Sequence, residues 1–195
     1  MSFLKTVPED QAESLLLDQY QAAEKSMGYV PNHIKAFSLH PEVYDAWTKL
    51  IGAVRSRMRL RRYELVTFAA AQALECTYCM LAHGAVLRKS LFNLEQLLAI
   101  VKDFRNAGLS AEEVAMMAFA QKISARAQDV SEQDNSELRA FGLTDEEILD
   151  IILACTARNF FSKTLEAVGA IPDETYKELE PELLHALTAS HPLTW

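Results

Sequence analysis

Apolar residues recur at helical spacing along almost the whole chain, and no stretch alternates apolar with polar residues as a half-buried strand requires. That periodicity restricts the fold to an all-α helical bundle. Pro8 to Met27 carries Leu15, Leu16, Leu17, Tyr20 and Ala23 on one stripe, and Gly28 stops it. Asn32 to Leu39 reads as a short helix closed by His40-Pro41, and Glu42 to Val54 repeats the spacing with Val43, Trp47, Leu50, Ile51 and Val54. Leu60 to Leu74 predicts an Ala-rich helix, Tyr78 to Lys89 another, and Leu94 to Phe104 a third that ends at Asn106-Ala107-Gly108. Ser110-x-x-Glu113 and Thr144-x-x-Glu147 are capping boxes, in which each end group satisfies the other's unpaired amide. They start helices that run through Ala127 and to about Val168, with a shorter helix between them from Ser131 to Phe141.

A chain of 195 residues, half of them hydrophobic, has the length of one domain with one sizeable core, so residues 1–195 are taken as a single unit. Its tail, residues 172–195, is acidic and then apolar. Leu183, Leu184, Leu187 and Trp195 there have the chemistry to clip onto the same subunit or a neighbour. A net charge of −8 argues against nucleic acid and acidic membrane surfaces, which reward positive charge. No apolar run reaches membrane-spanning length, and Met1-Ser2-Phe3-Leu4-Lys5 leads into acidic helical sequence instead of a signal-peptide core. The expected location is cytoplasmic, where a close cysteine pair is more often catalytic or metal-binding than structural. Helices apolar on more than one face, such as Leu65 to Ala73 and Ile148 to Ala157, suggest a homo-oligomer.

Chemistry concentrates in Glu75-Cys76-Thr77-Tyr78-Cys79-Met80-Leu81-Ala82-His83. Two thiols at Cys-x-x-Cys spacing can close a disulfide, and His83 lies one helical turn past Cys79 on the same face. Three cysteines are too few for a secreted disulfide framework, and Cys155, among Ile151, Ile152, Ala154 and Ala157, reads as core. The bland alternatives are two inert buried thiols, or a zinc site completed by His83 and Glu64. Tyr78 fits packing better than a proton relay. For Glu64 the plain reading is a solvated carboxylate beside Arg61 or Arg62. The basic run Arg55 to Arg62 is either a solvated turn or an anion or oligomer contact. Phe160-Phe161 reads as packing, and His33, His40, His185 and His191 receive no role.

A weak internal repeat aligns Glu64 with Glu147, and Glu75 through Cys79 with Arg158 through Ser162. It suggests a duplicated helical unit in which the second copy, lacking both cysteines, kept only packing.

The spacing of Glu64, Cys76-x-Tyr78-Cys79 and His83 is similar to the core motif of the AhpD-like alkylhydroperoxidases within the carboxymuconolactone decarboxylase superfamily. Val30-Pro31-Asn32 and Leu60-Arg61-Arg62-Tyr63-Glu64-Leu65 resemble the peroxidase-related branch, and the likeness covers about residues 30–90. The best-known members carry a histidine where this chain has Tyr78, so a second imidazole near the thiols is missing.

The resemblance implies a thiol-dependent peroxidase that reduces hydrogen peroxide or organic hydroperoxides with no bound cofactor and no metal. It implies a dihydrolipoyl or thioredoxin-like reductant and a trimer or hexamer. Thiol chemistry makes Cys79 the better nucleophile, because it sits near a helix start and one turn from the base His83. Cys76 would then resolve the sulfenic acid as a disulfide. The resemblance also implies that Glu64 orients His83. On one straight helix, however, twelve residues would separate Glu64 from Cys76 by about 18 Å, so the chain must bend where no Gly or Pro marks the place. Two other classes stay open: a lyase acting on a small lactone or carboxylate, and a redox-sensing or zinc-binding protein without catalysis.

Overall fold

The computed structural model describes residues 2–188, and among them the chain forms ten α-helices and no strand. In order these are α1 (Ser14–Met27), α2 (Asn32–Lys35), α3 (Pro41–Arg55), α4 (Leu60–Ala73), α5 (Thr77–Ser90), α6 (Leu94–Asp103), α7 (Ala111–Arg126), α8 (Glu132–Ala140), α9 (Asp145–Ala167) and α10 (Pro181–Leu187). Both expected capping boxes form, at Ser110 with Glu113 and at Thr144 with Glu147. Two more appear at Asn93 with Gln96 and at Ser131 with Asp134. Each such cap is worth about 1 kcal/mol, enough to fix where a helix begins.

The bundle is built around α4, whose residues from Tyr63 to Ala71 are all buried. The run Ala69-Ala70-Ala71 has no side-chain bulk beyond Cβ, which lets α5, α7 and α9 pack closely around it. The apolar faces of α4 are therefore satisfied within one subunit and give no argument for an oligomer. On α9, by contrast, Leu149, Leu153 and Phe160 remain exposed, as do Val43 and Leu50 of α3.

The folded chain changes one expectation and decides two points left open. Pro8 to Met27 is not one helix: a single 3₁₀ turn, Glu9–Gln11, is separated from α1 by extended Ala12 and Glu13, and Ser14 adopts a φ of +50°. The run Arg55 to Arg62 is no open basic patch, because Arg57 pairs with Asp150, Arg61 with Glu113, and Arg62 with Glu112 and Glu147. The tail folds back on its own subunit, where α10 packs on α5 and α6 with Leu183 and Leu187 fully buried. A Cβ on Gly84 would stand 2.6 Å from Leu187 Cδ1, so only glycine allows that approach. Trp195 and His191 lie outside the described residues. Within those residues, no helix is long and apolar enough to cross a membrane.

Candidate active site

The bend required by the sequence lies at Leu74-Glu75-Cys76. The amide of Glu75 donates to the Gln72 carbonyl and that of Cys76 to Ala71, the paired bonds of a helix end that normally carries glycine. Here Glu75 takes the left-handed conformation, with φ +53°. Cys76 then becomes the N-cap of α5, and the first helical bond runs from the Met80 amide to the Cys76 carbonyl. Cys79 thus sits in the first turn, where amides lack helical partners and favour negative charge.

The same bend folds α5 back along α4 and brings Glu64 Oε2 within 2.7 Å of His83 Nδ1. Glu64 is 2% exposed, which removes the reading of a solvated partner for Arg61 or Arg62. A carboxylate only accepts, so Nδ1 carries the proton and Nε2 is left with a free lone pair. Thr67 Oγ1 stands 3.3 Å from the same Nδ1 and itself donates to the Tyr63 carbonyl.

Both thiols are buried and reduced. Ser162 Oγ donates to Cys79 Sγ at 3.2 Å, and Arg158 Nη1 does so at 3.7 Å. The Cys76 thiol reaches the Ser162 carbonyl at 3.9 Å. A hydrogen bond from Cys76 pulls the Cys79 thiol below its ordinary range, with Arg158, Ser162 and His83 acting in the same direction against burial. That shared bond and burial push Cys76 up. The asymmetry suits one attacking and one protonated thiol. Burial also raises Cys155, to about 12, in keeping with core.

Tyr78 is more than packing. Its hydroxyl donates to the Asp173 carboxylate, accepts from the His33 amide at 3.1 Å and lies 3.2 Å from His33 Nδ1. Asp173 in turn accepts from the Asn32 amide at 2.7 Å, so the start of α5 is tied to α2 and to the segment after α9. His33, given no role from sequence, is held neutral by burial and then by the Arg158 charge, which together lower it to about 4. Phe161 is packing as expected, its ring stacked on Trp47 with centroids 4.0 Å apart.

Four residues here escaped the sequence reading: Arg158, Ser162, His33 and Asp173. The internal repeat held a signal for two of them, since it places Ser162 over Cys79 and Arg158 over Glu75, but packing was the wrong reading of the second copy. Nothing local marks His33 or Asp173, which both reach the Tyr78 hydroxyl from well over a hundred residues apart in the chain. No three His, Cys, Asp or Glu side chains among the described residues come together as a metal site.

Residues 41–122 match the family model described as Carboxymuconolactone decarboxylase family, a span that holds Glu64, Cys76, Cys79 and His83 but not Arg158, Ser162 or Asp173. The fold is similar to an alkylhydroperoxidase AhpD core, an uncharacterized peroxidase-related protein from Ralstonia eutropha JMP134, at TM-score 0.80 and 22% identity over 90% of this chain and 94% of that one. It is similar to an uncharacterized peroxidase-related protein from Silicibacter sp. TM1040, at 0.75 and 23% over 90% and 91%. It is also similar to the debrominase Bmp8, at 0.74 and 16% over 93% and 96%. No curated protein matches the chain.

Proposed function

We propose that the chain is a member of the AhpD-like carboxymuconolactone decarboxylase superfamily and a thiol-dependent peroxidase acting through Cys79, Cys76, His83 and Glu64. One observation carries this reading: the buried Cys79 thiol has donors from Ser162 and Arg158, and His83, one turn along the same helix, is paired with Glu64 of α4. The Cys79 proton passes to His83 Nε2, and Glu64 balances the imidazolium. Thiolate sulfur attacks the terminal oxygen of the hydroperoxide, the O–O bond breaks, and the electron pair leaves on the alkoxide or hydroxide, which takes the proton from His83. The Cys76 thiol then displaces water from the Cys79 sulfenic acid and forms the disulfide. An external dithiol, of dihydrolipoyl or thioredoxin-like type, restores both thiols. The reading includes a homo-oligomer, supported by exposed Leu149, Leu153 and Phe160, and a reducing, cytoplasmic setting.

Reduced protein exposed to one equivalent of cumene hydroperoxide tests the central step. The expected result is rapid loss of two thiols, mapped by peptide mass to a Cys76–Cys79 disulfide and absent in Cys79→Ser. Cys76→Ser should undergo one stoichiometric oxidation and, once further equivalents of peroxide are added, accumulate over-oxidised Cys79. Oxidation no faster than that of a free thiol would sink the peroxidase reading. A brominated pyrrole in the same assay reads the alternative raised by the debrominase likeness, that the pair reduces a carbon–halogen bond.

A further inference from the structure

Arg158 sits in the C-terminal half of α9 with 5% of its surface exposed, and no carboxylate pairs with it among the described residues. That sets it apart from Arg57, Arg61, Arg62 and Arg88, each of which holds a carboxylate. Its Nε is buried without a hydrogen-bond partner. The guanidinium instead lies over the rings of Trp47 and Phe161, 5.8 Å and 5.4 Å from their centroids. Arginine does not give up its proton in a protein, and an isolated buried charge is among the most costly things a fold can contain. An anion must therefore be close. Two titratable groups touch it, Tyr63 of α4 and Cys79; burial raises the Tyr63 hydroxyl and keeps it protonated, so the one that can become an anion at neutral pH is Cys79, with Sγ 3.7 Å from Nη1.

We infer that Arg158 is a catalytic residue of this site: the resident counter-ion that keeps Cys79 as a thiolate, with Ser162 as the second donor to the sulfur. The word catalytic rests on the peroxidase reading, whereas the ion pair stands without it. With the Cys79 proton on His83, the chamber holds two cations, Arg158 and His83, against two anions, Cys79 and Glu64, and is neutral as a whole. Arg158 and Ser162 are four residues apart on an unbroken helix and so present both donors on one face. The aromatic rings that flank Arg158 exclude water, which strengthens the pairing. The free Nε–H is a donor left over for charge that develops during attack, and keeping such a group buried carries a cost that a purely structural arginine would have no reason to bear.

Ultraviolet absorbance of the thiolate, titrated from pH 4 to 10 on reduced protein with Cys79→Ser subtracted, reads the ion pair without any peroxide. Wild type should show a Cys79 thiolate already formed at neutral pH. In folded Arg158→Met its midpoint should rise by at least one pH unit, while Arg158→Lys should keep most of the effect. A wild-type thiolate that appears only in the free-thiol range near pH 8–9, or an unmoved midpoint in Arg158→Met, overturns the inference. Thermal unfolding of Cys79→Asp and Cys79→Ser gives a reading that leaves Arg158 intact. A buried aspartate is normally the worse substitution, so a higher Tm for Asp than for Ser supports a cation in need of an anion, and the reverse order overturns it. A low thiolate midpoint in protein inert to cumene hydroperoxide would defeat the peroxidase reading and leave this one standing.

Discussion

The weak repeat sets residues 62–84 over 145–167, Glu64 on Glu147 and Cys79 on Ser162, yet the first stretch is broken between α4 and α5 and the second is one unbroken helix. Both end in the same turn, with Glu75 at φ +53° closing α4 and Gly169 at φ +64° closing α9. In each, the amide two residues past the cap returns to a carbonyl five residues earlier, Cys76 to Ala71 and Ala170 to Leu165. The difference is where the turn falls. In the first segment it comes just before Cys76, so Glu64 and His83 end up on facing helices and can touch. In the second it comes after Ser162, so Arg158 and Ser162 stay in fixed register on one rigid face. The break creates a carboxylate–imidazole pair, and the unbroken helix supplies static donors; Cys79 lies where the two meet.

The comparison is most exposed at its two carboxylates. Loss of the base in His83→Ala should slow oxidation of Cys79 by roughly 10²–10⁴-fold, most at neutral pH, and Glu64→Gln should slow it by less, as read by stopped-flow consumption of peroxide. Glu147→Ala, at the aligned position, should leave that rate unchanged and cost about 1 kcal/mol in urea unfolding through its cap and its pair with Arg62. A rate loss in Glu147→Ala would mean the two segments are not divided in this way.

Packing around the segments comes next in size. A Cβ on Gly169 would meet the Phe3 ring at 2.7 Å in a left-handed conformation, and one on Gly84 would strike Leu187. Gly169→Ala and Gly84→Ala are each expected to cost about 1–3 kcal/mol of unfolding free energy, and the Gly84 effect should shrink in a Leu187→Ala background. The break itself is tested by Glu75→Gly against Glu75→Ala, which both remove the carboxylate while only Ala keeps the Cβ. Gly should be the more stable by about 1 kcal/mol, and equal stabilities would mean that the left-handed turn is not strained.

The last effect appears only in acid. His33 is held at about 4 in the fold against an ordinary 6.5, so below pH 6.5 the unfolded chain binds a proton that the folded chain refuses. Its contribution is full above pH 6.5 and is lost as pH falls toward 4. The slope of urea midpoint against pH in that window should flatten in His33→Gln.

Much of this was legible because helix boundaries are local events. Thr144 with Glu147 and Ser110 with Glu113 announce their helices through side chains three residues apart, and α4 and α5 lie within a residue or so of where periodicity puts them. The split before Ser14 and the turn at Glu75 were not legible, because a non-glycine residue at positive φ leaves no mark in sequence and is imposed by what packs on either side. Arg158 was hidden for a related reason. An arginine on an Ala- and Leu-rich helix reads as a solvated charge until its neighbours prove to be Trp47, Phe161 and Cys79.

By itself the sequence determined that this chain is a helical bundle, where its helices start, and that two thiols and an imidazole share one helix, since each follows from spacings of a few residues. Only tertiary structure decided that Glu64 reaches His83, that Tyr78 is tied to Asp173 and that Cys79 faces Arg158 and Ser162. Those contacts join residues 19 to 95 apart, and what selects them is the burial of a common core and the need of each buried charge for a partner.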